Sequence, residues 1–316
     1  MLFLPKRLIG LLVGCTALFN LSTSFAENTL RIGYQRSSTL MTLLKTQGTL
    51  EKRFAEQGIQ ISWHEFPNGL PLLEALNVGN VDVSADVADT VPVFAQAAGA
   101  DITYFAEELP SPKAQALLLH ADSPITNLSE LKGKKIAVTK GAGNHYLLLA
   151  ILNKAGLGFS DIQPAYVTPA DGRAAFENRK VDAWVTWEPF LSSAQRQLAT
   201  RTLADGTGLA DYKRYYLSSS SYAAKHHAEL NQLFNALVQT GEWLKSNPEQ
   251  AAKVLAPLWG NLDVATVLQA NQRRSYVVRP VKLEALGEQQ KIADAFYREG
   301  LLPKAVDAHD VHIFTP

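Results

Sequence analysis

From Leu30 onward, short runs of β-branched and aliphatic residues alternate with longer stretches whose apolar positions recur at helical spacing. That alternation is the mark of an α/β fold built on parallel strands. Leu30 to Tyr34 reads as a strand, Gln35 to Thr39 as a polar loop, and Leu40 to Gln47 as a helix stopped by Gly48. The same sentence is written again about a hundred residues later. Lys135 to Val138 is a strand, Lys140 to Asn144 a Gly-rich loop, and Tyr146 to Ala155 a helix stopped by Gly156. The strands Ile59 to Phe66 and Ile162 to Val167 lead through Pro67 and Pro169 into helices. These hand over to Val81-Asp82-Val83 and Val181-Asp182-Ala183, two Val-Asp runs one hundred residues apart. Each copy then passes an acidic loop to a proline, Asp89 to Pro92 in the first and Glu188-Pro189 in the second, that opens a helix.

Two such βαβαβ units predict two doubly wound lobes whose strand carboxyl ends face one cleft. Gln115 to His120 and Tyr215 to Ser218 are expected to be extended crossovers that act as hinges. The mainly helical region from Ala223 is expected to return and complete the first lobe. The boundaries that follow are 27–114 plus 221–316 for lobe 1 and 115–220 for lobe 2.

The start of the chain has a different pattern. Lys6 and Arg7 precede an apolar run from Leu8 to about Leu21, followed by Ser24-Phe25-Ala26, which reads as a signal peptide over residues 1–26 with export to the periplasm. The run is too short to span a membrane. Leu12 to Cys15 also resembles a lipoprotein cleavage box, so lipid anchoring at Cys15 stays open as the alternative. Cutting after Ala26 leaves no cysteine, and the exported domain must then hold by its core alone.

At 316 residues, 47% apolar and 19% charged, the chain is globular rather than disordered and long enough for two cores. Its 30 basic and 30 acidic residues give no field to draw it onto nucleic acid or an anionic membrane, so a monomer without a nucleic-acid partner is expected.

The candidate chemistry gathers at the cleft. The turn Lys140-Gly141-Ala142-Gly143-Asn144-His145 lies between strand and helix, where free N–H groups and the helix dipole favour an anion; a plain strand-to-helix turn looks the same. Gln35, Ser37 and Ser38 hold the matching place in the first lobe, as ligand donors or as helix caps. Trp187 is an apolar wall or inter-lobe packing. Asp86, Asp89 and Glu188 pair with a ligand ammonium or cap the structure, and Thr90 shares their loop. Arg173 is expected to pair with an acid. There is no nucleophile elbow and no His-Glu-x-x-His; His226-His227 and His309-x-x-His312 read as surface histidines. Neither a cofactor nor a metal is expected.

Several blocks then fall in one order: Leu30 to Gln35, Glu65-Phe66-Pro67, Glu74 to Gly79, Phe94 to Ala100, Leu131 to Lys135, Lys140-Gly141, His145, Pro169-Ala170-Asp171, Arg173 to Phe176, Val181 to Trp184 and Trp187-Glu188-Pro189. Together they resemble the periplasmic aliphatic sulfonate-binding proteins of bacterial ABC importers, strongly over residues 29–220 and more weakly toward the C-terminus. The resemblance implies a two-lobed type II periplasmic binding fold that closes on an organosulfonate and presents it to a membrane permease, without catalysis. On this reading Gln35, Ser37, Ser38, the backbone from Gly141 to His145 and the His145 side chain hold the head group, and Trp187 covers the tail. The chain departs from the family at Ala85 to Pro92, one residue longer than usual, which leaves taurine, nitrate and thiamine precursors as alternative ligands. A hydrolase of sulfur-containing anions is the alternative of another class. Three carboxylates near an anion site imply a preference for zwitterionic sulfonates such as taurine.

Overall fold

The computed structural model describes residues 28–316, so the expected signal peptide and Cys15 lie outside the described residues. The first copy of the repeat runs β1 (Asn28–Gln35), α1 (Thr39–Gln47), α2 (Thr49–Ala55), β2 (Ile59–Phe66), α3 (Gly69–Asn77), β3 (Val83–Ala88), α4 (Thr90–Ala97) and β4 (Ile102–Glu108). The second runs β5 (Gln115–His120), β6 (Lys135–Val138), α5 (Gly143–Lys154), β7 (Gln163–Tyr166), α6 (Pro169–Glu177), β8 (Ala183–Trp187), α7 (Phe190–Gln197) and β9 (Thr200–Asp205). The chain then returns through β10 (Arg214–Ser219), α8 (Ser220–Ala223), α9 (His227–Ser246), α10 (Pro248–Leu258), α11 (Val264–Gln272), β11 (Val278–Arg279), α12 (Gly287–Arg298) and β12 (His312–Ile313).

These strands form two sheets, in the orders β11-β4-β10-β3-β1-β2, with β12 beside β4, and β7-β6-β8-β5-β9. Each sheet has a parallel triplet from its own copy of the repeat, followed by an antiparallel strand, β10 against β3 and β5 against β8. The sheets are therefore mixed rather than purely parallel. The two segments expected to be hinges are interior strands: β5 pairs with both β8 and β9, and β10 with both β3 and β4. Both are apolar enough to be buried on two faces, which is what a central strand requires. The chain passes between the sheets on either side of them, at 109–114 and 206–213, and residues 214–219 belong to the first sheet.

The Val-Asp echo has a physical purpose other than a strand. Asp82 donates its N–H to the Arg31 carbonyl (2.8 Å) and accepts the Arg31 N–H on its carboxylate (2.8 Å). Asp182 does the same with Lys135, at 2.8 and 2.7 Å. The first pair clips the middle of β1, and the second the start of β6, to the approach of the neighbouring strand, and the strands β3 and β8 begin one residue later. The turns before them also match, with Gly79 at φ 75° and Arg179 at φ 53°.

Candidate functional site

The carboxyl ends of β1 and β3 meet those of β6 and β8 with little space between them. A methyl group on Gly143 would lie 2.5 Å from Tyr212 Cε2 and 2.9 Å from Ala88 Cβ. One on Gly141 would lie 3.4 Å from Leu70 Cδ2 and 3.5 Å from the Phe94 ring. Val87, Ala88 and Val91 of the first lobe share one apolar cluster with Ala142 and Trp187 of the second. The two lobes are closed on each other. Trp187 is 5% exposed, meets Phe190 edge-on at 5.9 Å between ring centroids, and belongs to that inter-lobe cluster.

Helix α5 starts three residues earlier than the sequence suggests, so Gly143, Asn144 and His145 form its first turn rather than a loop. Its N-cap, Ala142, has no side-chain acceptor to offer, and the N–H groups of Gly143 and Asn144 have no partner among the described residues. Asn144 is pinned by its Nδ2 donating to the Val185 carbonyl (2.6 Å), leaving Oδ1 buried and unpartnered. The His145 ring is neutral, with Nδ1 as acceptor and its proton on Nε2. Its Nδ1 accepts the Gly141 N–H (3.2 Å), and burial together with the Lys140 charge holds its pKa down to about 3. The neutral ring packs among Phe159, Tyr166 and Phe296, and its Nε2 is buried without a partner. It locks the glycine turn instead of pointing a charge at a ligand. Lys140 is exposed, with Nζ 5.8 Å from the Tyr166 ring centroid.

In the first lobe, Ser38 stands at the N-cap of α1, but its hydroxyl makes no capping bond. It accepts the Gln35 N–H (3.1 Å) and approaches the Asp86 carbonyl (3.5 Å), to which Gln35 Nε2 also donates (3.1 Å). The Ser37 carbonyl accepts from Arg274 Nη1 (3.0 Å). Beneath this loop lies a buried ion cluster. Arg214 Nε donates to Asp86 Oδ2, and Arg274 Nη2 bridges Asp86 (2.9 Å) and Glu108 (2.7 Å). Arg214 also donates to the Tyr212 hydroxyl (3.0 Å), and Tyr212 is the ring that abuts Gly143.

The three acids expected to face a ligand ammonium are each answered by the protein. Asp86 has its two guanidinium partners, with one oxygen, Oδ1, left unpartnered. Asp89 caps α4, accepting the N–H of Thr90 (3.0 Å) and of Lys213 (2.9 Å); burial nevertheless pushes its carboxyl up to about 7. Glu188 accepts from the Ser192 N–H (3.0 Å), the Ser192 hydroxyl (2.8 Å) and Arg273 Nη1 (2.7 Å). Burial raises its pKa while Arg273 opposes the rise. The electrostatic reason for expecting a zwitterion is thereby removed. Arg173 lies 3.5 Å from Glu177 and donates to Ser193, as a structural arginine. His226 and His309 contact Glu229 and Asp307, and no group of three metal-ligating side chains gathers among the described residues.

Sequence reasoning missed Arg214, Arg274, Tyr212, Gln115 and Thr186. The doublets Lys213-Arg214 and Arg273-Arg274, each with a tyrosine one or two residues on, are the one signal that could have found the arginines. Thr90 Oγ1, Gln115 Oε1, Asn144 Oδ1 and Thr186 Oγ1 are buried polar atoms of both lobes without a protein partner. Buried polar atoms are ordinarily satisfied, and of these four the two hydroxyls can donate whereas the two amide oxygens only accept.

Residues 53–251 match the NMT1/THI5-like family. The periplasmic aliphatic sulphonate binding protein SsuA from Escherichia coli is 42% identical, and its crystal structure superposes with a TM-score of 0.82, covering 92% of each chain. The alkanesulfonate-binding protein SsuA from Xanthomonas axonopodis pv. citri, bound to MOPS, is 40% identical with a TM-score of 0.82, covering 87% of this chain and 94% of that one. The taurine-binding periplasmic protein of Escherichia coli (strain K12) is 22% identical over 221 residues, 69% of this chain and 67% of that one.

Proposed function

Because the chain belongs to the NMT1/THI5-like family, among its aliphatic sulfonate-binding members, we propose that it is the periplasmic solute-binding component of an ABC importer, capturing aliphatic sulfonates. It is a binding protein and not an enzyme. The observation that carries the reading is the 42% identity to a sulphonate-binding protein across both lobes. The site fits the ligand's chemistry. A sulfonate is anionic at every biological pH and offers three acceptor oxygens, so fixed neutral donors suit it better than a titrating base. On this reading the Gly143 and Asn144 N–H groups and the Thr90 and Thr186 hydroxyls serve the head group. Gln35, Ser37 and Ser38 shape the opposite wall, Gly141 and His145 hold the turn, and Trp187 bounds the organic tail. Asp89 and Glu188 hold the starts of α4 and α7 around the site, and the exposed Lys140 adds a positive charge beside the glycine turn. The closed arrangement is what a permease would receive. A leader over residues 1–26, a monomeric mature chain and lobes bounded near 109–114 and 206–213 complete the reading.

Calorimetric titration of the mature protein with methanesulfonate, propanesulfonate, MOPS, taurine and nitrate tests it, each ligand being recovered and weighed by mass spectrometry. Saturable binding of alkanesulfonates returned unchanged is the expected result. Binding of nitrate alone, or a chemically altered sulfonate, refutes it.

A further inference from the structure

Helix α12 is fixed to the first lobe at both ends, yet its own apolar side reaches the second. Ahead of it, Leu286 is fully buried in a cluster with first-lobe residues. Within it, Gln289 is 1% exposed and donates to the carbonyl of Asp89 (2.8 Å), in the turn that opens α4. After it, Gln96 Nε2 donates to the Asp307 and Asp310 carbonyls, Phe314 donates its N–H to the Tyr104 carbonyl (2.9 Å), and β12 pairs with β4.

Toward the second lobe the ties are mainly apolar, with a few polar contacts that include Glu288 against the Tyr146 hydroxyl. Phe296, fully buried, stands 4.9 Å between centroids from Phe94 of the first lobe and 4.9 Å from His145 of the second. Ile292 and Ala293 share a cluster with Leu147 and Leu148 of α5. Glu299 accepts the N–H of Phe159 (3.1 Å), a second-lobe residue whose ring also touches His145. The ring that Phe296 supports is the one that accepts the Gly141 N–H and locks the glycine turn.

We propose that Phe296 and Gln289 are positioning residues for ligand capture, through which α12 straps the lobes together: it moves with the first lobe, seats the α4 turn through Gln289, and clamps His145 and α5 through Phe296 when the lobes are closed. This rests on the binding reading above. Opening detaches α12 from α5 and Phe159 while the Gln289 bond, and the ties of the segment after α12, hold it to the first lobe. The strap therefore governs how long a bound sulfonate is held more than how fast it enters, since association requires only the open form.

The experiment is stopped-flow association and release of propanesulfonate with the parent protein, Phe296→Ala and Glu299→Gln, together with amide hydrogen exchange at Phe159 in the parent with and without ligand. Release should quicken about tenfold in Phe296→Ala and two- to threefold in Glu299→Gln, with association within about twofold of the parent. The Phe159 amide should exchange more slowly when ligand is bound. Parental release rates in a folded Phe296→Ala, or a Phe159 amide equally protected in both states, overturn the proposal. If Phe296→Ala does not fold, Glu299→Gln and the parent's Phe159 exchange decide the matter. A parent that takes up no sulfonate overturns the functional reading as well, whereas a parent that binds alongside an unaltered variant overturns the strap alone.

Discussion

His145 and Asp89 are both buried beside the cleft, and burial moves their titrations in opposite directions. The folded histidine ionises only near about 3 against an ordinary 6.5, so as the pH falls below 6.5 the unfolded chain takes up a proton that the folded one refuses. That term removes about 1.4 kcal/mol of stability per pH unit. Asp89 is raised to about 7 from 3.8, so between these values the folded chain keeps a proton that the unfolded one releases. Its contribution is complete below 3.8 and is lost as the pH rises through 7, with a slope of the same size and opposite sign. From pH 6 to 5 the two offset each other. Urea midpoints should show His145→Phe gaining stability relative to the parent as the pH falls across this range, and Asp89→Asn losing it; parallel profiles for all three would disprove both assignments. A larger effect is expected at Asp86. Asp86→Asn leaves the buried guanidiniums of Arg214 and Arg274 short of a counter-charge, a loss of about 3–5 kcal/mol in urea unfolding. This cluster was not legible in the sequence, because residues 86, 108, 214 and 274 carry no local spacing that relates them. Only the fold selects them as partners.

Helix α5 shows what was legible at the scale of elements and what was not. The strand β6, the glycine turn and the following helix were all readable from apolar spacing and punctuation, and the two copies of the repeat aligned themselves. The start of α5 was misplaced because glycine and asparagine score as turn residues, whereas here a glycine is needed at N1 for a different reason. Ala88 of the facing lobe and Tyr212 of the 206–213 crossing occupy the space its Cβ would fill. Gly143→Ala therefore separates two quantities. Alanine favours the helix by about 1 kcal/mol, so the ligand-free protein should unfold at the same or a higher denaturant concentration. Closure must accommodate a methyl group 2.5 Å from the Tyr212 ring, and sulfonate affinity measured by calorimetry should fall about tenfold or more. Unchanged affinity would mean that the two edges separate in the liganded form. The Val-Asp runs were recognised as equivalent but assigned as strands, since a sequence pattern cannot tell a strand residue from the aspartate that clips the strand's neighbour.

Across the whole molecule, the acids around the cleft are met by elements distant in the chain: Glu188 by Arg273 and Asp86 by Arg274 from the C-terminal region, Asp86 also by Arg214 of β10, and Asp89 by the Lys213 N–H just ahead of that strand. A ligand ammonium gains little from carboxylates already paired. Propanesulfonate should thus bind at least as tightly as taurine at pH 7, and Glu188→Gln should leave their ratio within about twofold. A clear preference for taurine that Glu188→Gln abolishes would restore Glu188 as an ammonium partner. The path of the chain through its two sheets was the least legible feature, because nothing local in β5 or β10 says which sheet a central strand will join. That path has a consequence for the order in which the molecule can be completed. The second sheet is drawn from one uninterrupted stretch, 115–205, and can be assembled as soon as that stretch is free. The first sheet lacks its middle until β10 is inserted between β3 and β4, and its edge until β12 arrives at 312–313. The lobe begun first is finished last. A chain cut short by nascent-chain arrest or proteolysis would retain a whole second lobe beside two unpaired strand edges, the form most prone to pair with another copy and aggregate.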